Sequence, residues 1–305
     1  MEEDNPEFIG EYHLDELITS SENIYSDCEV YKATKRNTHE KVILKLSRYS
    51  DRGNTELEIL NAIRHEFIVN LLDSFKTKFL RNVMIFEKYP RDLQELYTEE
   101  SLESNRIQKF MNQLMTGIQY IHDKNIIHRD IKPENLMITE TDSLKIGDFG
   151  ISRYTNPTAS MTPESVSLWY RPIEILLSCK NHTTAVDIWS AGCVMAELYR
   201  RCPLFKGEGQ INMINKIINV LGKPTLEEWP TMNELPAMSM IELSGPDSKN
   251  FENAIPNASK KSLDLIQNMI MFDPARRFSA SQVLQHAYFK TEDISEQNNY
   301  EPSFP

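Results

Sequence analysis

The chain has 305 residues, 40% hydrophobic and 26% charged, and a net charge of −12 from 33 basic and 45 acidic side chains. This is the make-up of an ordinary globular protein of one or two domains, which argues against chain-long disorder. The acidic balance argues against non-specific nucleic-acid binding, which runs on clustered lysine and arginine. No apolar run approaches the ~18–20 residues needed to span a bilayer, and the acidic start MEEDNPEF does not read as a signal peptide, so the expected setting is the cytoplasm, the nucleus or both. Cys28, Cys179, Cys193 and Cys202 show no metal-ligand spacing and read as free thiols, most of them packed in the core.

Residues 1–11 and 290–305 are polar and acidic, and both ends are expected to fray. Between them the chain opens with β-type runs. VYKAT (30–34) and KVILKL (41–46), separated by KRNTH, predict a hairpin with a longer loop. A helix is predicted around 54–64, with Leu57, Leu60 and Ile63 on one face, and NVMIFEKY (82–89) predicts a further strand. After Pro90 the character changes. Ile107, Phe110, Met111, Leu114, Ile118 and Ile121 repeat at helical spacing, which predicts a long amphipathic helix. AVDIWSAGCVMAELYR (185–200) is apolar nearly all round and predicts a buried helix; 211–221 and 262–270 predict two more. The fold class is therefore α+β: a small β-rich lobe over 12–88 and a larger, mainly helical lobe over 92–289, with a cleft between them where ligand sites prefer to lie.

The chemistry is carried by IIHRDIKPENLMI at 126–138, followed by DFG at 148–150 and preceded by VILK ending at Lys45. HRDIKPEN and then DFG, in this order and spacing, is the catalytic-loop and metal-loop pattern of protein kinases. With SLWYRPIEILL (167–177), AVDIWSAGCVMAEL (185–198), PLFKGEGQINMINKIINVLGKP (203–224) and FDPARRFSA (272–280), the chain resembles the cyclin-dependent-kinase branch over about 12–289.

That resemblance implies a bilobal kinase fold, the cofactors ATP and Mg²⁺, a protein substrate, and the following roles. Asp130 is the base for the substrate hydroxyl, and Lys132 neutralises the transferring phosphoryl. Asn135 and Asp148 are hard oxygen ligands for Mg²⁺. Lys45 holds the α- and β-phosphates and pairs with Glu56, found by counting back from HEFIVNLLD. Glu87 and Tyr89 offer backbone hydrogen bonds to adenine, Phe86 closes the back of its pocket, and Asp92 reaches the ribose. Val30, Ile43 and Met137 sandwich the ring, although apolar positions of this kind also read as plain core. Glu174 and Arg277 match a buried structural ion pair, and Asp187 matches a brace on the catalytic-loop backbone.

The chain departs from the family at several places. The phosphate loop should carry three glycines, and Asn23, Tyr25 and Cys28 stand there instead, which predicts a stiffer loop and slower turnover. Ile43 replaces a usual alanine and narrows the pocket. Ser26 and Asp27 occupy the positions of inhibitory phosphates, and an aspartate removes one acceptor. SDRGNTE (50–56) stands where the cyclin-binding helix would be, without its apolar and arginine contacts, which speaks against cyclin dependence. Thr162 falls at the activating phosphothreonine, with Arg129 and Arg153 as two of its three usual partners and Thr55 in place of the third. Ser165, Val166 and Arg171 lie where the pocket for the residue after the target is built. The leading expectation is a serine/threonine kinase in cell-cycle or transcription control, most like the single-subunit CDK-activating kinases, acting on the activation-loop threonine of another cyclin-dependent kinase. A cyclin-bound proline-directed kinase and a pseudokinase scaffold are the alternatives.

Overall fold

The computed structural model describes residues 7–23, 26–47, 51–155, 168–247 and 250–290. The first lobe is a curled antiparallel sheet of β1 (Phe8–Ile9), β2 (Tyr12–Asn23), β3 (Ser26–Lys35), β4 (Lys41–Ser47), β5 (Leu71–Lys76) and β6 (Asn82–Glu87), in the order β1-β2-β3-β4-β6-β5, with α1 (Asp51–Ala62) crossing between β4 and β5. The expected hairpin is β3 and β4, and its turn closes through Lys35 N–H to Glu40 O at 2.9 Å. The sheet begins earlier than the expected tail at 1–11, because Phe8 and Ile9 pair with His13 and Tyr12.

Strand periodicity divides the side chains of β4 between two environments. Val42, Leu44 and Leu46 join Tyr12, Ala33, Val83 and Ile85 in a small core on one face. The other face carries three cross-strand rows: Lys32–Ile43–Phe86, Val30–Lys45–Met84 and Cys28–Ser47–Asn82. This second face turns toward α1, whose buried Ile59 and Leu60 pack in one cluster with Met84 and reach the second lobe.

The connection after β6 leads through β7 (Arg91–Asp92) into α2 (Leu93–Glu99), capped by Asp92, and the long α3 (Ser104–Asp123). As its pattern predicted, α3 buries Ile107, Phe110, Met111, Leu114, Ile118 and Ile121. Next come β8 (Ile126–Ile127), a 3-10 turn at Pro133–Asn135, β9 (Leu136–Ile138), β10 (Leu144–Ile146) and β11 (Arg153–Tyr154). β9 and β10 form a hairpin with β7 alongside, and β11 pairs β8. These short ladders stand at the lobe junction and hold the candidate site.

The remaining helices are α4 (Ile173–Leu176), α5 (Ala185–Arg200), α6 (Gln210–Leu221), α7 (Phe251–Ala254), α8 (Lys260–Met269) and α9 (Ala280–Leu284). α5 is buried from Val186 to Tyr199, which makes it the axle of the lobe. Three side chains on it, Asp187, Ser190 and Glu197, are polar and still buried. Glu197 accepts from the hydroxyls of Tyr97 at 2.5 Å and Tyr170 at 2.8 Å, which satisfies a carboxyl that burial pushes upward in pKa. Gly192 lets the end of α8 approach closely: a Cβ there would stand 2.7 Å from Ile270 Cγ1 and 3.0 Å from Met269 Cβ. Gly192→Ala is therefore expected to destabilise the fold by about 1–3 kcal/mol through overpacking, read as a lower urea midpoint.

Of the four thiols only Cys193 is buried, while Cys28 and Cys179 are partly exposed and Cys202 is exposed, so the expectation that most are core is corrected. Among the described residues, no helix is long and apolar enough to cross a membrane.

Candidate active site

The cleft face of the sheet and the short ladders of the second lobe bring one cation and two carboxylates together. Lys45 Nζ lies 2.6 Å from Glu56 Oε1 on α1 and 2.8 Å from Asp148 Oδ1, just past β10. Burial would depress the Lys45 ammonium, but the two carboxylates overcome it and hold its pKa well above the usual value. Lys45 in turn holds the Asp148 carboxyl far below the ordinary carboxylate range, whereas burial pushes Glu56 up. The outcome is an anionic Asp148, half-exposed toward the cleft, beside a buried ion pair. Gly150 continues the turn and donates its N–H to Asp148 Oδ1 at 3.3 Å; a Cβ on Gly150 would sit 3.1 Å from that oxygen and 3.2 Å from Lys45 Nζ.

The second cluster lies on the loop between β8 and β9. Asn135 Nδ2 donates to both Asp130 O and Asp130 Oδ2 at 2.9 Å, and Lys132 Nζ lies 3.1 Å from the same carboxylate oxygen. The loop is strained and heavily tied. Arg129 on it (φ 74°), and Asp148 on the turn after β10 (φ 53°), adopt the left-handed region that non-glycine residues avoid. Fully buried Asp187 accepts from His128 N at 2.9 Å and Arg129 N at 2.8 Å, and its Oδ2 lies 2.8 Å from His122 Nε2. His128 donates from Nε2 to Gly147 O at 2.8 Å and accepts from Asp130 N at Nδ1 at 3.2 Å. That pair of bonds fixes the ring orientation and joins the loop bearing Asp130 to the turn bearing Asp148. In the sequence His128 is visible only as the first residue of HRDIKPEN. Asp187 lies where the resemblance put a backbone brace.

Asn135 uses its Nδ2 on Asp130, so its amide oxygen is the end left for a cation, and Asp148 offers an ionised carboxylate. Two hard oxygen donors of this kind suit a divalent metal shared with phosphate oxygens.

The connecting strand lies between the clusters. Phe86 stands opposite Ile43 in register, partly buried against the main core, and Asp92 stands opposite Met137. Val30, Ile43 and Met137 are all partly exposed. Val30 stands opposite Lys45, and Ile43 lies two residues before Lys45 on the same strand, so Val30, Ile43 and Lys45 share one face of the sheet. Two side chains here have structural partners that the sequence did not suggest. Tyr89 donates its hydroxyl to Glu87 Oε2 at 2.7 Å. Asp92 caps α2, with Oδ1 accepting from Glu95 N at 2.8 Å and Glu95 returning a bond to Asp92 N. Cys28 lies over the same face one row beyond Val30, and burial pushes its thiol up to about 11, against the pull of Lys45.

Thr162, Ser165, Val166 and Tyr25 lie outside the described residues. Arg153 donates from Nη1 to Ser152 O at 2.6 Å, next to the pairing of β11 with β8. Arg129, Arg171 and His182 line a cavity of about 40 Å³ beside Asp130. Burial, and then the charges of Arg129 and Arg171, push the His182 imidazole down to about 4 from 6.5, against a hydrogen bond with the Cys179 backbone. Between those values the unfolded chain binds more protons than the folded one. His182 therefore costs no stability above about pH 6.5 and lowers it as pH falls toward about 4. A His182→Gln variant is expected to flatten the melting temperature against pH across that window; an unchanged slope would refute this role.

Farther down, Arg277 forms a two-pronged pair with Glu174, Nη1 to Oε1 at 2.7 Å and Nη2 to Oε2 at 2.6 Å, and its guanidinium lies 4.8 Å from the Trp189 ring centre. Compared with known families, residues 26–289 match the model described as protein kinase domain.

Proposed function

Because this chain belongs to the protein kinase family, and so uses ATP with a divalent metal on protein substrates, we propose that it is a Mg²⁺-dependent serine/threonine kinase that works as a single subunit. Its proposed substrate is the activation-loop threonine of a cyclin-dependent kinase. The observation that carries this reading is the Lys45–Glu56 pair at 2.6 Å, closed within the chain itself and joined to Asp148 at 2.8 Å.

In this reading the apolar cleft formed by Val30, Ile43 and Met137 takes adenine, the backbone of Glu87 and Tyr89 meets its edge, and Phe86 closes the rear. Lys45, oriented by Glu56, grips the phosphates. When bound at Asn135 and Asp148, Mg²⁺ supplies charge neutralisation on those phosphates. Asp130 accepts the proton of the substrate hydroxyl as that oxygen bonds to the γ-phosphorus. The bond to the β-phosphate oxygen breaks, and ADP leaves with the electron pair. Lys132, 3.1 Å from Asp130, spreads the negative charge of the moving group. Arg129 and Arg153 are the proposed receptors for a phosphate on Thr162.

The purified chain, given Mg²⁺ and ATP, is expected to label the activation-segment threonine of an unphosphorylated cyclin-dependent kinase without any cyclin. Labelling of proline-directed peptides alone would overturn the substrate, and activity only after a cyclin is added would overturn the single-subunit reading. Nucleotide binding without any transfer would favour a scaffold.

A further inference from the structure

Asn82 opens β6 and is completely buried, an uncommon place for a primary amide. By register it stands opposite Ser47 and shares the cleft face with Met84 and Lys45, one row beyond them. Its Nδ2 donates to Asn54 Oδ1 on α1 at 3.2 Å, while its own Oδ1 is buried without a hydrogen-bond partner among the described residues, so this one bond is what satisfies the amide. Asn54 lies two residues before Glu56 on the same helix. Its amide thus fixes the first turns of α1 against the sheet at the level where Glu56 meets Lys45.

We infer that the Asn54–Asn82 hydrogen bond is an internal latch that holds α1 against the sheet and so keeps Glu56 on Lys45, in place of a partner subunit. This rests on the single-subunit reading above for its functional meaning. A helix held by apolar packing alone slides or swings at modest cost, since contact area is lost gradually. A swing here takes the acceptor from a buried amide, and that group then pays its full desolvation. The penalty applies before Lys45 and Glu56 have parted, so the inward position is favoured without any outside contact. Gly53, next to Asn54, makes the start of α1 intrinsically weak, which gives a local latch something to correct. Asn54 and Asn82 are positioning residues: they touch neither nucleotide nor substrate and act through Glu56.

The test uses the full chain without nucleotide and compares Asn82→Leu and Asn54→Leu, which remove the bond, with Asn54→Asp, which keeps the acceptor oxygen. Amide hydrogen exchange in α1 is expected to rise about tenfold in both leucine variants, as the loss of one buried hydrogen bond implies. Exchange in α5 should stay as in the wild type, and Asn54→Asp should exchange like the wild type. In kinetics, Asn82→Leu should lower kcat in the wild-type background and cause little further loss beside Glu56→Gln, because both act through one ion pair. Unchanged α1 exchange in both leucine variants would overturn the latch. So would an equal rise in α1 and α5, which marks a general loss of stability, or a full additional loss beside Glu56→Gln. If exchange follows the expected pattern but the chain alone transfers no phosphate, the latch stands and the single-subunit reading fails.

Discussion

Replacing Asp130 with asparagine is expected to lower kcat by about 10²–10⁴-fold, the range lost when a positioned general base is removed, while the KM for ATP stays within a few-fold. Asparagine has almost the same shape, and its amide oxygen still accepts from Asn135, which donates to Oδ2 of Asp130 at 2.9 Å. It cannot take the proton, and it no longer offers Lys132 a carboxylate at 3.1 Å. Lys45 and Asp148 lie in the other cluster and are untouched, so nucleotide affinity is kept. The measurement is steady-state phosphoryl transfer with ATP varied at saturating protein substrate. Retention of more than about a tenth of the wild-type kcat would remove Asp130 from the role of base.

Glu174→Ala is expected to cost about 3–5 kcal/mol of stability, because it leaves Arg277 buried and unpaired. The Arg277 side chain is fully buried and that of Glu174 is 3% exposed. Arg277 also donates to Met271 O at 2.8 Å, Ala185 O at 3.2 Å and Phe272 O at 3.3 Å, so one guanidinium ties α4, the start of α5 and the loop after α8. Folded domains are stable by about 5–15 kcal/mol, so the loss is a large share of the total. A double variant, Glu174→Leu with Arg277→Met, should recover part of it, since no charge is then stranded. Urea unfolding of the three proteins checks both statements. A single variant within about 1 kcal/mol of the wild type would show that the pair does not hold the lobe together.

The parts of this molecule that were legible in the sequence are those governed by local pattern. KVILKL alternates, so the face that bears Lys45 could be read directly, and Val42, Leu44 and Leu46 do bury on the opposite face. The apolar run 185–200 could only be a buried helix, and it is one. The two motifs placed Asp130, Asn135 and Asp148 on neighbouring turns. β2 was not legible: HLDELITSS is polar, Leu17 and Ile18 are exposed, and two register shifts break its alternation against β3. Nor was α2, because Asp92 was read as a ribose contact and its cap depends on Glu95 returning the bond. Partners distant in sequence and outside the family motifs left no trace. Glu197 finds Tyr97 a hundred residues earlier, and Asn82 finds Asn54 across a strand and a helix. Nothing in the composition of either segment announces such a pairing, since hydrogen bonds between distant side chains have no period.

The most direct measurement is transfer of labelled phosphate from ATP to protein by the purified chain alone, with Mg²⁺ present, followed by identification of the labelled amino acid. The expected result is phosphothreonine on an unphosphorylated cyclin-dependent kinase, abolished by Asp130→Asn and independent of added cyclin. Nucleotide bound at the cleft with no phosphate transferred to that substrate, with or without cyclin, would contradict it.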